Sequence, residues 1–282
     1  WDDRREPVQR ALLGTHAVVA ADTGERVRER LDRHADAWAQ VHGEACAAHL
    51  RGEQSAALLD LRMACLQRRR GELAALVDRL ADADAAAVRA AVAAVDELTP
   101  VERCSDTTAL SAAIPLPDDP IAAARVGQLR DRLAEARAAA STRKISIGLA
   151  LARDVVTAAQ ALAYRPLLAE ALEVRGRLEE LAGTYEAAYE TLTEALWLAD
   201  ACRDDLLLAS TMARLVGLLA DRLARFDEAL RWRRHADALV LRLGEETEGH
   251  VTLLRSFGTA LFRQGRTSEA IALLERALAI AE

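Results

Sequence analysis

The stretch AGTYEAAYETLTEAL, residues 182–196, decides the fold because its pattern of small and apolar residues occurs three times. It returns as ARFDEALRWRRHADAL from Ala224 and as QGRTSEAIALLERAL from Gln264. Four columns repeat in phase every 41 residues: Gly176, Gly217 and Gly258; Tyr185, Phe226 and Thr267; Ala188, Ala229 and Ala270; Ala195, Ala236 and Ala277. Alanines seven residues apart lie on one helix face, where small side chains let a paired helix approach closely. The sequence therefore predicts helix–turn–helix units that bury their apolar faces by stacking.

The composition favours helices along the whole chain. Hydrophobic residues make up 51% of the 282 residues but aromatic residues only 4%, and Ala, Leu, Arg and Glu dominate. These residue types form helices well, and few bulky residues remain that favour strands. We expect an all-α protein, in which an N-terminal helical hairpin or bundle precedes an αα superhelix of three clear units and one degenerate unit.

Prolines suggest where the two helical regions meet. The segment from Thr99 to Pro120 holds four of the six prolines, which favours a domain boundary there. We expect an N-terminal helical domain at residues 1–113, a linker at 114–120 and a solenoid at 121–282. The expected repeat units span about 128–168, 169–209, 210–250 and 251–282. Because the chain starts without Met and stops within a helical pattern, we expect a fragment of a longer protein.

Charge and missing residue types exclude several functions. The net charge of −7 provides no general attraction for nucleic acid or anionic lipid. The chain has no Asn and its only Lys is Lys144, which excludes a phosphate-binding Gly-Lys-Ser/Thr loop and a kinase catalytic loop. No uninterrupted run of about 18 apolar residues occurs. We therefore expect no catalytic activity, no cofactor, no nucleic-acid partner and no membrane span in this chain.

The repeat resembles the tetratricopeptide repeat (TPR). Its pattern of L-x-x-x-G, then G-x-Y, then A, L and A is carried in the first unit by Leu172, Gly176, Gly183, Tyr185, Ala188, Leu192 and Ala195. The third unit carries it at Leu254, Gly258, Leu261, Gly265, Ala270, Leu274 and Ala277. In the middle unit Ala224 replaces the turn glycine and Arg233 replaces a core leucine, so we expect its second helix to be partly exposed.

The TPR resemblance implies a concave groove, lined by the first helix of each unit, that binds a protein or peptide. The implied groove residues are Glu170, Glu173, Arg177, Glu180 and Leu181; Thr211, Arg214, Leu218, Asp221 and Arg222; Thr252, Arg255, Thr259, Phe262 and Arg263. We expect Arg214 and Arg255 to hold carboxylates and Phe262 to supply an apolar anchor. The alternative is that these charges only keep the groove hydrated.

Two cysteines lie on helices that the N-terminal pattern pairs in antiparallel fashion. Helices at residues 22–51 and 53–80 place Cys46 within about one turn of Cys65, which makes a disulfide between them conceivable. The alternative is two buried, reduced thiols that pack as small apolar groups. Cys104 is expected to lie near a loop, where it could pair with a cysteine upstream of this fragment. Cys202 is expected to be a reduced residue in a packed interior.

Three potential metal ligands share one face of the first of these helices. His42, Cys46 and His49 are spaced by four and three residues. A zinc site needs a further ligand or water, and no carboxylate is obviously paired with this group. We therefore expect no metal site.

The N-terminal region also resembles a known family segment. WDD at Trp1, EACAAHLRGEQSAALLDLRMACLQRR at 44–69 and ERCSD at 102–106 are similar to the region that follows the kinase domain in large myxobacterial-type serine/threonine kinases. The resemblance covers nearly the whole chain, and in that family this region leads into C-terminal TPRs. It implies a regulatory or sensing region, with the kinase domain before Trp1. It also implies a location outside the cytoplasmic membrane, with a cytoplasmic location as the alternative.

Three functions emerge from these patterns, in decreasing order of support. The first is a non-catalytic solenoid that binds a protein or peptide as the regulatory part of a signalling kinase. The second is an oligomerisation region or helical spacer, in which either the N-terminal hairpin or an exposed apolar face of the C-terminal repeat pairs with itself. The third is a small-molecule sensor.

Overall fold

Helices make up all the regular structure of the described residues. The structure, a computed structural model, describes residues 1–15, 18–112, 114–243 and 248–281. Within those residues there are thirteen α-helices, one short 3-10 helix and no β-strand. The expected all-α helical repeat fold is confirmed.

The N-terminal helices begin where the sequence supplies capping residues. Ser55 Oγ accepts the Leu58 N–H at 3.2 Å, and the Asp84 carboxylate accepts two N–H groups of the helix that follows it. The first seven α-helices are α1 (Asp2–Gly14), α2 (Ala20–Leu50), α3 (Ala56–Ala81), α4 (Ala85–Asp96), α5 (Thr107–Ala112), α6 (Pro120–Ser141) and α7 (Ile145–Leu162). The 3-10 helix Val101–Ser105 lies between α4 and α5.

Six further helices continue the chain in antiparallel pairs. They are α8 (Arg165–Leu181), α9 (Tyr185–Ala201), α10 (Asp205–Asp221), α11 (Phe226–Leu243), α12 (Glu248–Arg263) and α13 (Thr267–Ala281). The first repeat consists of α8 with α9, the middle repeat of α10 with α11, and the third repeat of α12 with α13.

The chain divides into two compact units, Trp1–Val155 and Val156–Glu282. The division falls later than the proline-rich segment, at residues 114–120, where we expected the boundary. The reason is that α6 packs against α3 and α4, so this helix belongs to the first unit. Prolines therefore mark an irregular connection inside the first unit and not the limit of its core.

The first unit is built on the α2–α3 hairpin. Helix α1 packs against both helices of the hairpin, and α4 packs against α2. Apolar side chains spaced three, four or seven residues apart on these helices form one buried cluster: Val8, Leu12, Val27, Leu31, Leu73, Leu76, Val77, Leu80, Val88 and Ala91. The helical spacing read from the sequence therefore becomes the core of this unit.

The second unit is a stack in which α10 and α12 pack on helices of the repeat that precedes them. Helix α10 packs against α9 and α11, and α12 packs against α10 and α13. The two predicted alanine columns are buried throughout: Ala188, Ala195, Ala229, Ala236, Ala270 and Ala277. Small side chains at these points allow the close helix approach that the sequence predicted.

The turns of the stack share one backbone conformation. A single residue with positive φ lies in each described turn from α6 onward: Arg143, Ala163, Gly183, Arg203, Ala224 and Gly265. A residue in this left-handed conformation ends the preceding helix and lets the chain reverse. Glycine adopts it without strain, whereas a residue with a Cβ does so at a cost.

The middle repeat departs from its neighbours where the sequence departs from the TPR pattern. Gly176 and Gly258 lie against Leu192 and Leu274, and a Cβ on either glycine would come within 2.8 Å of the leucine side chain. Gly217 has only Ser256 Oγ as a neighbour, at 4.0 Å. The corresponding leucine is absent because Arg233 takes its place.

Helix α7 is the one described helix that is long and apolar enough to cross a bilayer by composition. The sequence predicted no membrane span because it has no uninterrupted run of about 18 apolar residues, and in α7 Arg153 and Asp154 interrupt the apolar residues. Asp154 forms an ion pair with Arg132 of α6 at 3.4 Å. The core helix of a globular protein passes the same compositional test, so α7 is weak evidence for a span.

Candidate protein-binding groove

The predicted groove residues lie on α8, α10 and α12, the first helices of the three repeats. Most of them are half-buried or exposed, including Glu170, Arg177 and Leu181. Thr211 and Leu218 are fully buried, and Leu218 belongs to the apolar core of the second unit. Helix α10 packs against α9, α11 and α12, which leaves it less free surface. These two residues are therefore corrected from groove positions to core positions.

Arg214 is engaged by two predicted groove carboxylates. Its Nε lies 3.3 Å from Glu173 Oε1, and its Nη1 lies 3.5 Å from Glu180 Oε2. All three side chains are largely removed from solvent. The prediction that Arg214 captures a ligand carboxylate therefore gives way to an internal role, because the guanidinium already joins the first helices of two repeats.

Two further arginines of the predicted groove, Arg263 and Arg222, also contact neighbouring side chains. Arg263 Nε lies 3.6 Å from Asp221 Oδ1, while half of the Arg263 side chain stays exposed. The Arg222 guanidinium lies 5.8 Å from the centre of the Tyr185 ring, within the range of a cation–π contact. The charge along α8 and α10 is therefore largely balanced within the stack.

Helix α12 presents the exposed part of the predicted set. Thr252, Arg255, Thr259, Phe262 and Arg263 are all exposed on it. Phe262 is 61% exposed, which is unusual for a phenylalanine on a packed helix. Among the described residues, the Arg255 guanidinium makes no hydrogen bond or ion pair. Spacings of three, four and seven residues place Arg255, Thr259 and Phe262 on one side of the helix.

The disulfide of the first unit joins Cys65 to a cysteine other than Cys46. Cys65 of α3 bonds to Cys104 of the 3-10 helix with a Cα–Cα distance of 5.5 Å, and Cys46 is a free thiol. The hairpin register places Val41 of α2 in the cluster around Cys65. The bond considered between Cys46 and Cys65 is therefore not formed, because α2 meets Cys65 at Val41, more than one turn before Cys46. Sequence reasoning had no long-range information to bring Cys104 to this point.

Cys202 and His42 are both packed against other parts of the protein. Cys202 is buried and free, and its burial raises the pKa of the thiol, with Asp204 adding to the effect. His42 stacks on Trp38 with ring centres 4.9 Å apart. Among the described residues, no group of three or more His, Cys, Asp or Glu side chains is placed to hold a metal ion.

A cavity of about 250 Å³ in the first unit escaped the sequence reasoning. It lies between α2, α4 and the 3-10 helix, and its lining residues are Arg30, Arg33, His34, Ala37, Val95, Asp96, Val101 and Glu102. Burial lowers the pKa of His34, so its imidazole is neutral near neutral pH. Arg30 Nε pairs with Asp96 at 2.6 Å across the cavity wall. No local motif marks these residues, because three separate segments contribute them.

Comparison with known proteins gives one family match. Residues 207–282 match the tetratricopeptide repeat family. No curated protein matches the chain, and no solved structure does. The matched region covers the middle and third repeats almost completely, and the first repeat has the same columns 41 residues earlier. Such repeats generally mediate protein–protein interaction, and folds of this kind are typically non-catalytic. The chain is thus an all-α helical repeat protein whose C-terminal part matches the tetratricopeptide repeat.

Proposed function

We propose that the second unit binds a protein or peptide through the exposed side of α12, as the regulatory part of a bacterial serine/threonine kinase. The observation that carries the binding proposal is that Arg255, whose guanidinium has no ion-pair partner among the described residues, lies on the same side of α12 as the exposed Phe262. A guanidinium holds a carboxylate through two parallel hydrogen bonds, and an aromatic ring supplies apolar contact area. The ligand that fits is a segment with an acidic residue near an aliphatic or aromatic one.

The experiment is a binding titration with synthetic peptides. Fluorescein-labelled short peptides that combine Asp or Glu with Leu are screened by fluorescence anisotropy against the whole chain. We expect Arg255→Glu and Phe262→Ala each to lower the affinity of a selected peptide about tenfold or more. Arg231→Glu is the matched control, because Arg231 is also exposed but lies on α11, a second helix. Equal loss in the control, or unchanged affinity in Arg255→Glu, contradicts the proposal.

Arg214→Glu has a different expected outcome from Arg255→Glu. It places a third carboxylate beside Glu173 and Glu180, so it lowers the stability of the stack. Measuring the free energy of unfolding and the peptide affinity on the same sample separates this effect from a loss of binding contacts. A large loss of affinity at unchanged stability would return Arg214 to the binding surface.

The kinase assignment rests on the resemblance of residues 44–69 and 102–106 to the region after the kinase domain of myxobacterial-type enzymes. That family context supports a sensing role and a location outside the cytoplasmic membrane. Reading the genomic sequence upstream of the codon for Trp1 is the direct test. An open reading frame with a serine/threonine kinase domain supports the assignment, and an unrelated upstream domain contradicts it.

Self-association is a second candidate, favoured by the exposed apolar side of α13. Ile271, Leu274 and Leu278 are between 39% and 60% exposed there. The equivalent Leu192 and Leu196 of α9 are buried, in a core that includes α10 side chains. Light scattering after size-exclusion chromatography, over a range of concentrations, is the test. A mass that rises with concentration and falls back with Leu278→Ala supports self-association, and a constant monomer mass contradicts it.

A further inference from the structure

The 3-10 helix Val101–Ser105 is attached to the α2–α3 hairpin by few groups. Between Glu97 and Asp119, the buried residues among those described are Val101 and Cys104. They join Val41, Cys65 and Leu66 in a small apolar cluster that is separate from the main core of the first unit. Helix α5 contributes no buried residue. Packing alone therefore holds this part of the chain weakly.

A buried cation depends on the same attachment. Arg62 of α3 is only 7% exposed, and its Nε donates to the carbonyl oxygen of Cys104 at 3.3 Å. Its Nη1 donates to Gln54 Oε1 at 3.0 Å, and Gln54 Nε2 donates in turn to the Ala45 carbonyl. Among the described residues, no carboxylate pairs with this guanidinium. A buried charge needs such hydrogen bonds, so Arg62 requires the 3-10 helix in place.

The Cys65–Cys104 disulfide is the covalent part of this attachment, and it joins residues 39 apart in sequence. A crosslink over a segment of that length removes many conformations from the unfolded chain. Cys65 and Cys104 are both buried, so a dithiol reaches the bond when the weakly packed segment opens locally. Bonds of this kind persist in oxidising compartments and are rare in the reducing cytosol.

We infer that Cys65–Cys104 is a redox lock that holds residues 97–112 over Arg62 and the apolar cluster. Reduction by a dithiol transfers two electrons and two protons to the bridge: both cysteines become thiols, and the dithiol becomes a disulfide. The released segment uncovers Val41 and Leu66 and hydrates the Arg62 guanidinium. It also moves Val101 and Glu102, which line the cavity beside His34. The lock is independent of the α12 surface and of the peptide-binding proposal.

The first test is the bond itself. The chain is secreted into the bacterial periplasm, purified without reductant, unfolded, and analysed by thiol counting and peptide mapping. Two free thiols, at Cys46 and Cys202, with a crosslinked peptide that contains Cys65 and Cys104, are the expected result. Four free thiols, or a bridge that includes Cys46, would overturn the inference.

The second test is the release of the segment. Hydrogen exchange followed by mass spectrometry compares the oxidised protein with the same sample reduced by dithiothreitol. We expect amide exchange in residues 101–112 to become at least about tenfold faster on reduction, while exchange in α8–α10 stays unchanged. Equal exchange of residues 101–112 in the two forms contradicts the lock even when the disulfide is present.

Variants remove the effect of the reductant itself. Cys65→Ser with Cys104→Ser is expected to reproduce the fast exchange of the reduced protein without any dithiol. Cys46→Ser is the matched control, because it removes a cysteine of the same hairpin but keeps the bond. Fast exchange in the control would refute the assignment to Cys65–Cys104. If the double variant does not fold, the reduced wild-type chain still decides the question.

Discussion

The first and middle repeats have the same period but differ in how their two helices meet. In the first repeat, Leu192 of α9 packs onto Gly176 of α8, where a Cβ would lie 2.6 Å from its Cγ. In the middle repeat, a Cβ on Gly217 would meet only Ser256 Oγ, at 4.0 Å, and Arg233 stands where the leucine would be. A glycine in a helix is therefore not by itself a sign of close packing, because its effect depends on the residue that faces it.

The middle repeat is held by contacts to its neighbours. The Arg233 guanidinium lies 5.0 Å from the centre of the Phe257 ring on α12. Towards the first repeat, Arg225 pairs with Glu186 of α9 through both carboxylate oxygens, and the hydroxyl of Tyr189 on α9 donates to Glu228 at 2.5 Å. These contacts join residues of adjacent repeats, which compensates for the poorer packing between α10 and α11.

The largest expected effect breaks the packing of the first repeat. Gly176→Ala places a methyl group against the buried Leu192, and we expect a loss of about 1–3 kcal/mol in the free energy of unfolding. Gly217→Ala is the matched control, with an expected gain of about 0.5–1 kcal/mol from helix propensity alone. Urea denaturation followed by circular dichroism measures both. Similar losses in the two variants would show that the glycines are equivalent after all.

A leucine in the middle repeat tests whether the missing side chain weakens it. Arg233→Leu fills the space beside Gly217 as Leu192 does beside Gly176, and we expect a gain of about 1–2 kcal/mol from the buried apolar surface. The loss of the contact with Phe257 offsets part of this gain. The same denaturation experiment measures it. A net loss of stability would mean that the contact of Arg233 with α12 stabilises the protein more than a buried leucine at this position does.

The turn residues give a smaller test of the same comparison. Ala224 has φ of 52° in the turn where Gly183 and Gly265 serve the flanking repeats. Ala224→Gly relieves the cost of a Cβ in this conformation, and we expect a net gain of about 0.5–1 kcal/mol. Gly183→Ala is the reciprocal variant and should lose a similar amount. Thermal unfolding compares the pair, and shifts in the same direction would contradict this account of the turn.

The smallest expected effect concerns the hydrogen bond from Tyr189 of the first repeat to Glu228 of the middle repeat. The hydrogen bond to Glu228, followed by burial, raises the pKa of Tyr189 above its ordinary value. A folded-state pKa above the unfolded value means that the stabilisation is present below about pH 10 and is lost as pH rises through the folded pKa. Tyr189→Phe should flatten this alkaline loss of stability. A pH titration of unfolding measures it, and identical slopes in both proteins would exclude the bond as the cause.

Much of the repeat could be predicted because its signals are local or periodic. The alanine columns and the turn glycines act within one helix pair, so their spacing along the sequence directly gives their positions on the helices. The arginine at position 233 was recognisable for the same reason, since it interrupts a column of leucines.

The groove was less predictable from the sequence than the repeat. Arg214 has the same spacing as Arg255, yet Glu173 and Glu180 engage only the former.

The amino-acid sequence alone determined the helices, the 41-residue repeat and the residues that close its helix pairs, because these depend on neighbours a few turns away. Only the tertiary structure decided that Cys65 pairs with Cys104, that α6 belongs to the first unit and that Arg214 is used within the stack. Each of these depends on residues that are far apart in sequence. Their meeting is set by the hairpin register and by the path of the connecting segments, which no local pattern specifies.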